Sequence, residues 1–159
     1  MITSDWLSLI EIFVTAGVGI WIATSIQTKS TASRALRDYF INELMSLQSD
    51  YRTFVNNIWD ARLSSTAIKD TLKSLSGRIT TLDKFMHKKF NLDSSLIKEA
   101  HVIFQQDLTY VPELDEQYSQ PVVQLKHETK IRLMPLHERI VEAITERVIN
   151  INESKIKYK

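Results

Sequence analysis

Lys126, His127, Lys130 and Arg132 crowd one short stretch of the chain, with His137 and Arg139 just beyond. Ammonium, imidazole and guanidinium groups at this density suit phosphate, because Arg offers a planar fork of donors and Lys a compact charge. A second basic group, Lys84, His87, Lys88 and Lys89, ends an apolar-periodic segment. Cations there also complement a helix dipole, which is the plainer reading of that group. Glu128 and Glu138 interleave the first group, so a solvated helix face would account for it unless symmetry repeats the patch around an anion. Tyr110 and Tyr118 flank the acidic stretch ELDEQYSQ and have rings of the kind that stack on bases. The phosphate and base candidates are therefore Lys126, His127, Lys130, Arg132, Lys88, Lys89, Tyr110 and Tyr118.

Other chemistries lack their parts. With only three glycines, Gly17, Gly19 and Gly77, neither the phosphate-cradling loop, the dinucleotide fingerprint nor the nucleophile elbow can be written on this chain. His127-Glu128 and His137-Glu138 resemble the opening of a zinc-protease helix, but Ile131 and Val141 stand where the second histidine belongs. No Glu-x-x-His occurs, so a carboxylate-bridged metal bundle is not expected either. The four histidines read as dispersed surface groups. The expectation is a protein that is not an enzyme, with no catalytic residue, metal or cofactor. Absence of cysteine removes disulfide and thiol chemistry.

Residues 6 to 26, WLSLIEIFVTAGVGIWIATSI, form an apolar run whose single ionisable group is Glu11. At about 1.5 Å per residue it reaches roughly 30 Å, the thickness of a hydrocarbon core. A cleaved signal peptide is the competing reading, but no Lys or Arg precedes Lys29 and the run is long for one. Lys29, Arg34 and Arg37 follow the run while Asp5 precedes it, which predicts an N-terminus outside and residues beyond the span in the cytoplasm. The expected location is the inner membrane, crossed once. Within the run, Glu11, Thr15, Gly19 and Ala23 recur every four residues as a small and polar stripe, suited to packing against other copies or lining a pore.

The rest of the chain divides simply: residues 1–28 as the membrane helix and 29–159 as one helical domain. All 20 Lys and Arg lie after residue 28, where acidic residues nearly balance them, so a general binder of double-stranded nucleic acid is not expected. Three glycines and three prolines, with no sustained alternation of apolar and polar residues, predict an all-α fold of four to five helices. Phe40, Leu44, Leu47, Tyr51, Phe54 and Ile58 make one heptad-like seam, and Ile68, Leu72, Leu75, Ile79, Leu82 and Met86 a second. Ser64 or Ser65 should cap the second of these helices and Asn91 should close it. Asp93 or Ser94 should open a third helix, burying Ile97, Ala100, Phe104 and Leu108 and ending before Pro112. The acidic stretch then reads as a loop and Pro121 as the first turn of a last helical region, kinked or split at Pro135, with Leu133, Leu136, Ile140, Ile144, Val148 and Ile151 on one face.

The opening span, the following SRALRDYFINELMSLQSDY and the length together resemble a family of small membrane effectors of type III CRISPR systems. That resemblance implies an antiviral defence protein that forms a homotetramer. Its cytoplasmic domain would bind cyclic tetra-adenylate, a cyclic oligonucleotide messenger, and its membrane helices would rearrange to open a pore or disrupt the bilayer. Four copies would offer four identical cationic sites to four phosphates. Two alternatives stand beside it: a membrane-anchored scaffold whose seams dock a partner, and a holin-like pore former without a nucleotide ligand.

Overall fold

The computed structural model describes the backbone of residues 3–92 and 96–154 and the side chains of residues 31–92 and 96–154. Every described element is helical: α1 (Thr3–Trp59), α2 (Ser65–Phe90), α3 (Leu96–Thr109), α4 (Pro112–Glu116) and α5 (His127–Glu153). Contacts divide the chain into two units, residues 1–38 and residues 39–159. Among the described residues no helix is long and apolar enough to cross a membrane. The side chains of residues 6–26 lie outside those described, and with them the stripe of Glu11, Thr15, Gly19 and Ala23.

In the second unit the two expected seams are the core. Leu44, Leu47, Tyr51, Ile68, Leu72 and Ile79 have almost no solvent exposure, and Phe40, Phe54, Ile58, Leu75, Leu82 and Met86 are also buried. Each such side chain contributes roughly 1.5–3 kcal/mol on leaving water. On α3, Ile97, Phe104 and Leu108 are buried; Ala100 is half-buried, and its neighbour His101 takes the inner place. On α5, Leu133, Ile140, Ile144 and Ile151 face the core. The α3 helix lies close against α2 and α5. Its short neighbours at Ala100 and Ala143 suit that approach.

Helix ends follow local chemistry. The Ser64 hydroxyl accepts the Ala67 N–H to cap α2, and Asn91 closes it in the left-handed region at φ 58°. The end of α1 is less conventional. Arg62 N–H reaches back to the Asn57 carbonyl at 2.8 Å around Ala61, whose φ is 53°. This is a Schellman-type close with alanine where glycine would carry no strain.

Two expectations for the stretch after α3 give way. Residues of the acidic segment form α4, because Pro112 sits in its first turn and Glu113 and Asp115 favour a helix start. The last helix begins at His127, six residues after Pro121. Between them Val123 and Leu125 are buried at alternate positions, and Val123 N–H binds the Leu63 carbonyl at 2.8 Å. That extended, two-sided segment suits the β-branched pair Val122-Val123 better than a helix would. Pro135 lies inside α5, which runs unsplit to Glu153. The expected cap of α3 at Asp93 or Ser94 lies outside the described residues.

Buried polar groups tie the helices together. His101 is 2% exposed and hydrogen-bonds through Nδ1 to the Tyr51 hydroxyl and through Nε2 to Ser76, which donates to Gln105 Oε1 at 3.2 Å. Since the Ser76 proton goes to Gln105, Nε2 carries the imidazole proton and Nδ1 accepts from Tyr51. Burial pushes His101 down to about 4, so it is neutral. This corrects the expectation that the histidines lie on the surface: a ring with both nitrogens satisfied can be buried among apolar neighbours. On the opposite balance, Asp83 of α2 is 4% exposed with neither oxygen hydrogen-bonded. Burial raises it to about 6, opposed by Arg147 of α5 and Lys98 of α3.

These two groups pull stability in opposite directions with pH. His101 has a depressed folded pKa, so its contribution grows as pH rises from about 4 to 6.5. Asp83 has a raised one, so its contribution is lost between 3.8 and about 6. Denaturant melts of the full chain at pH 4, 5, 6 and 7 should show Asp83→Asn gaining stability with pH more steeply than wild type, by up to about 1.4 kcal/mol per unit. Equal slopes would contradict the assignment. Separately, a Cβ at Gly77 meets nothing within 4 Å, so Gly77→Ala should stabilise the domain by about 1 kcal/mol in the same melts.

Candidate functional site

The end of the second unit that joins α1 to α2 and α3 to α5 gathers most of the expected site residues. Its organiser is Glu113, a carboxylate 1% exposed on α4. The Lys126 residue at the start of α5 has no side-chain cap of its own. Instead Glu113 Oε1 accepts the Lys126 N–H at 3.2 Å and the Thr129 hydroxyl at 2.8 Å. Burial alone would raise the Glu113 pKa, but its own N–H, Thr129 and the Lys126 amide together hold it below the ordinary value. A negative charge there also meets the positive end of the α5 dipole. Gln117 completes the turn, donating to the Gln124 carbonyl at 3.0 Å and accepting its N–H at 2.8 Å.

On this frame the basic residues divide. Lys130 donates to the Trp59 carbonyl at 2.7 Å, satisfying the end of α1, and Arg132 pairs with Asp107 of α3 at 3.0 Å. Both therefore do structural work that a ligand would have to compete with. Lys126 and His127 are exposed beside them. Tyr110 is 83% exposed at the end of α3, and Tyr118 is exposed with Lys69 above its ring at 5.4 Å. Lys69 also lies 3.8 Å from Asp115. Lys88 and Lys89 are elsewhere: they close α2, whose start holds Lys69, and 20 residues of helix separate the two ends by roughly 30 Å. So the structure brings Lys126, His127, Tyr110 and Tyr118 to one end, adds Lys69, and leaves Lys88 and Lys89 at the other.

Along the side of the bundle α1 and α5 leave an open cleft of about 480 Å³. Arg52 and Trp59 of α1 line one wall, and Met134, His137, Glu138, Val141 and Glu142 of α5 the other. The His137 ring meets Trp59 edge-to-face at 6.2 Å, and its Nε2 is buried without a partner. Burial and the Arg52 charge lower the His137 pKa, against a weaker pull from Glu138. Arg52 and Trp59 are not among the residues that sequence reasoning selects. Their signal is a seven-residue spacing with Met45 on the outer side of the first seam.

Among the described residues no three acidic, histidine or cysteine side chains gather as a metal site would require. The Ser76–His101 contact has the partners of a nucleophile and base, but His101 Nε2 already carries the proton and the ring is a weak base at about 4. No protein-family model, curated protein or solved structure matches the chain.

Because Glu113 supplies a side-chain cap at the start of α5, Glu113→Gln should destabilise the domain by about 1–2 kcal/mol at neutral pH. Its low native pKa fixes the sign with acid: the wild-type advantage over Glu113→Gln should shrink as pH falls below the ordinary glutamate value. Thermal melts of the two proteins at pH 7 and pH 4 measure both effects. An unchanged difference at the two pH values would remove the carboxylate from this role.

Proposed function

We propose that this protein is a membrane-bound antiviral defence effector, its helical domain a sensor for a cyclic oligoadenylate and its opening apolar segment a span that responds by rearranging. Cyclic tetra-adenylate is the proposed ligand and four copies the proposed assembly. What supports the reading is one juxtaposition: exposed Tyr110 and Tyr118 stand at the same end of the bundle as Lys126, His127 and Lys69. Rings for bases beside cations for phosphates are what a single-stranded or cyclic oligonucleotide needs. The apolar run of residues 6–26 adds a bilayer as the place where binding is read out. A ligand shifts the span only by its difference in affinity for the two arrangements, so the site must change shape as the span does.

No chemistry is assigned to the domain in this scheme, and ligand capture is non-enzymatic. The structure alters the weight of individual residues within the candidate set. Lys126 and His127 carry the phosphate role, since Lys130 and Arg132 already hold Trp59 and Asp107. Lys88 and Lys89, at the far end of α2, fit a dipole-complementing role better.

Calorimetric titration of the full chain in detergent with cyclic tri-, tetra- and hexa-adenylate tests the proposal. Size-selective binding of the tetramer is expected, with Lys126→Glu and Tyr110→Ala each weakening it by about tenfold or more. Lack of binding by any of the three would leave the scaffold and the ligand-free pore former as the surviving alternatives.

A further inference from the structure

The cleft between α1 and α5 carries a pattern that the ligand-binding end does not use. On α5, Ile131, Met134, Glu138, Val141 and Thr145 follow one another at steps of three and four, the spacing of a packing seam. This seam lies outside the one that fills the core: Ile131 is 58% and Met134 50% exposed. On α1, Met45, Arg52 and Trp59 stand seven residues apart, and Met45 is 50% exposed. Each helix therefore has an outer seam besides the one it presents to its own bundle, and Arg52 and Trp59 of α1 and Met134, Glu138 and Val141 of α5 border the cleft. Each outer seam carries a charge in its middle, Arg52 on α1 and Glu138 on α5, with apolar residues on either side along the helix.

The charges are opposite in sign on the two walls. Arg52 stands on α1, Glu138 and Glu142 on α5, and among the described residues no ion pair includes any of the three. The helices run antiparallel, since Lys130 near the start of α5 meets the Trp59 carbonyl at the end of α1. Arg52 and Glu138 are consequently at one height along the bundle. A two-fold axis running just outside the cleft mouth, parallel to the helices, would set α1 of each copy against α5 of the other. Arg52 of one copy would then face Glu138 of the second at the same height, with Glu142 about one turn further along, twice over. Trp59 would lie toward Met134 on one side of that level and Met45 toward Val141 on the other, so that apolar contacts flank the charge pairs along the helices. The symmetry is self-complementary, as an isologous contact must be.

We propose that the α1–α5 cleft is the surface through which two copies of this chain pair, side by side and with their helices aligned. Charge complementarity of the walls selects a second copy over other occupants. A wholly apolar groove would accept any amphipathic helix, whereas this one needs a ridge with acid opposite Arg52 and a cation opposite Glu138 and Glu142. The parallel axis keeps the Tyr39 ends of both copies at the same end of the pair. In that direction alone the inference rests on the membrane reading above, because two copies crossing one bilayer must enter it together.

The test uses the full chain in detergent, followed by sedimentation velocity across a concentration series. Wild type should pair, Arg52→Glu should weaken pairing by about tenfold, and a protein with Glu138→Arg and Glu142→Arg should weaken it similarly. The triple exchange carrying all three changes should restore pairing to within about threefold of wild type. All three positions border the open cleft, and the chain has no cysteine. Single-cysteine proteins Arg52→Cys and Glu138→Cys, mixed and oxidised, should therefore give a disulfide-linked pair, and Lys84→Cys mixed with either should not. A monomer at every concentration, an exchange that fails to restore pairing, or no link between the mixed proteins would overturn the proposal. Titration of the triple exchange with cyclic tetra-adenylate separates the two proposals: binding retained without pairing sinks only the pairing surface, and pairing without binding sinks only the ligand.

Discussion

The imidazole of His101 is the constraint around which the second unit is arranged. It joins α1, α2 and α3 at one level, through Tyr51, Ser76 and Gln105. Apolar seams with heptad-like spacing are permissive, since a helix shifted by one heptad still places leucine against leucine. A buried ring with two directed hydrogen bonds allows no such shift without leaving a donor or acceptor unmet, a loss of about 1–3 kcal/mol per group. Tyr51 reinforces the tie by stacking edge-to-face on Phe104, and burial keeps its hydroxyl protonated by raising its pKa. The outer pair of contacts from Arg78 to Glu43 and Asp50 then fixes α2 against α1 from the solvent side.

With register set in the middle, the two ends take separate tasks. At one, Glu113 and the Gln117–Gln124 pair hold the start of α5, so that Lys126, His127, Tyr110 and Tyr118 project from a supported frame. At the other, Phe40 meets Phe90 edge-to-face, and Asp83, Arg147 and Lys98 bring three helices' charges near one another. The polar tie is compact and the proposed contact surfaces lie on the periphery. A ligand or a second copy would thus find its groups already positioned, which lowers the ordering cost of association.

Much of this architecture is legible from residue spacing. The seams from Phe40 to Ile58 and from Ile68 to Met86 are period-true and buried throughout, and Ser64 and Asn91 cap α2 as their side chains predispose them to. The close of α1 at Ala61 gives no such cue, because its left-handed turn carries alanine in place of glycine. Residues Gln117 to Lys126 mislead because Pro121 suits a helix start equally well as an extended segment, and the Leu63 carbonyl that decides it is about 60 residues away in sequence. In the sequence His101 looks like any surface histidine, for its two partners, Tyr51 and Ser76, come from two other helices. The site is less visible than the fold for the same reason. Clustering in sequence overstates Lys130 and Arg132, whose charges are spent on Trp59 and Asp107, and it misses Arg52 and Trp59, which acquire meaning only opposite α5.

Every part of the proposed function depends on residues 6–26 crossing a bilayer with the helical domain on the inner side. Membranes from cells making the full chain with a C-terminal epitope, washed in alkaline carbonate and then exposed to protease as right-side-out or inverted vesicles, test it directly. The epitope should stay with the membrane pellet and be digested in inverted vesicles alone. Release of the chain by carbonate, or loss of the epitope from right-side-out vesicles, would contradict the account.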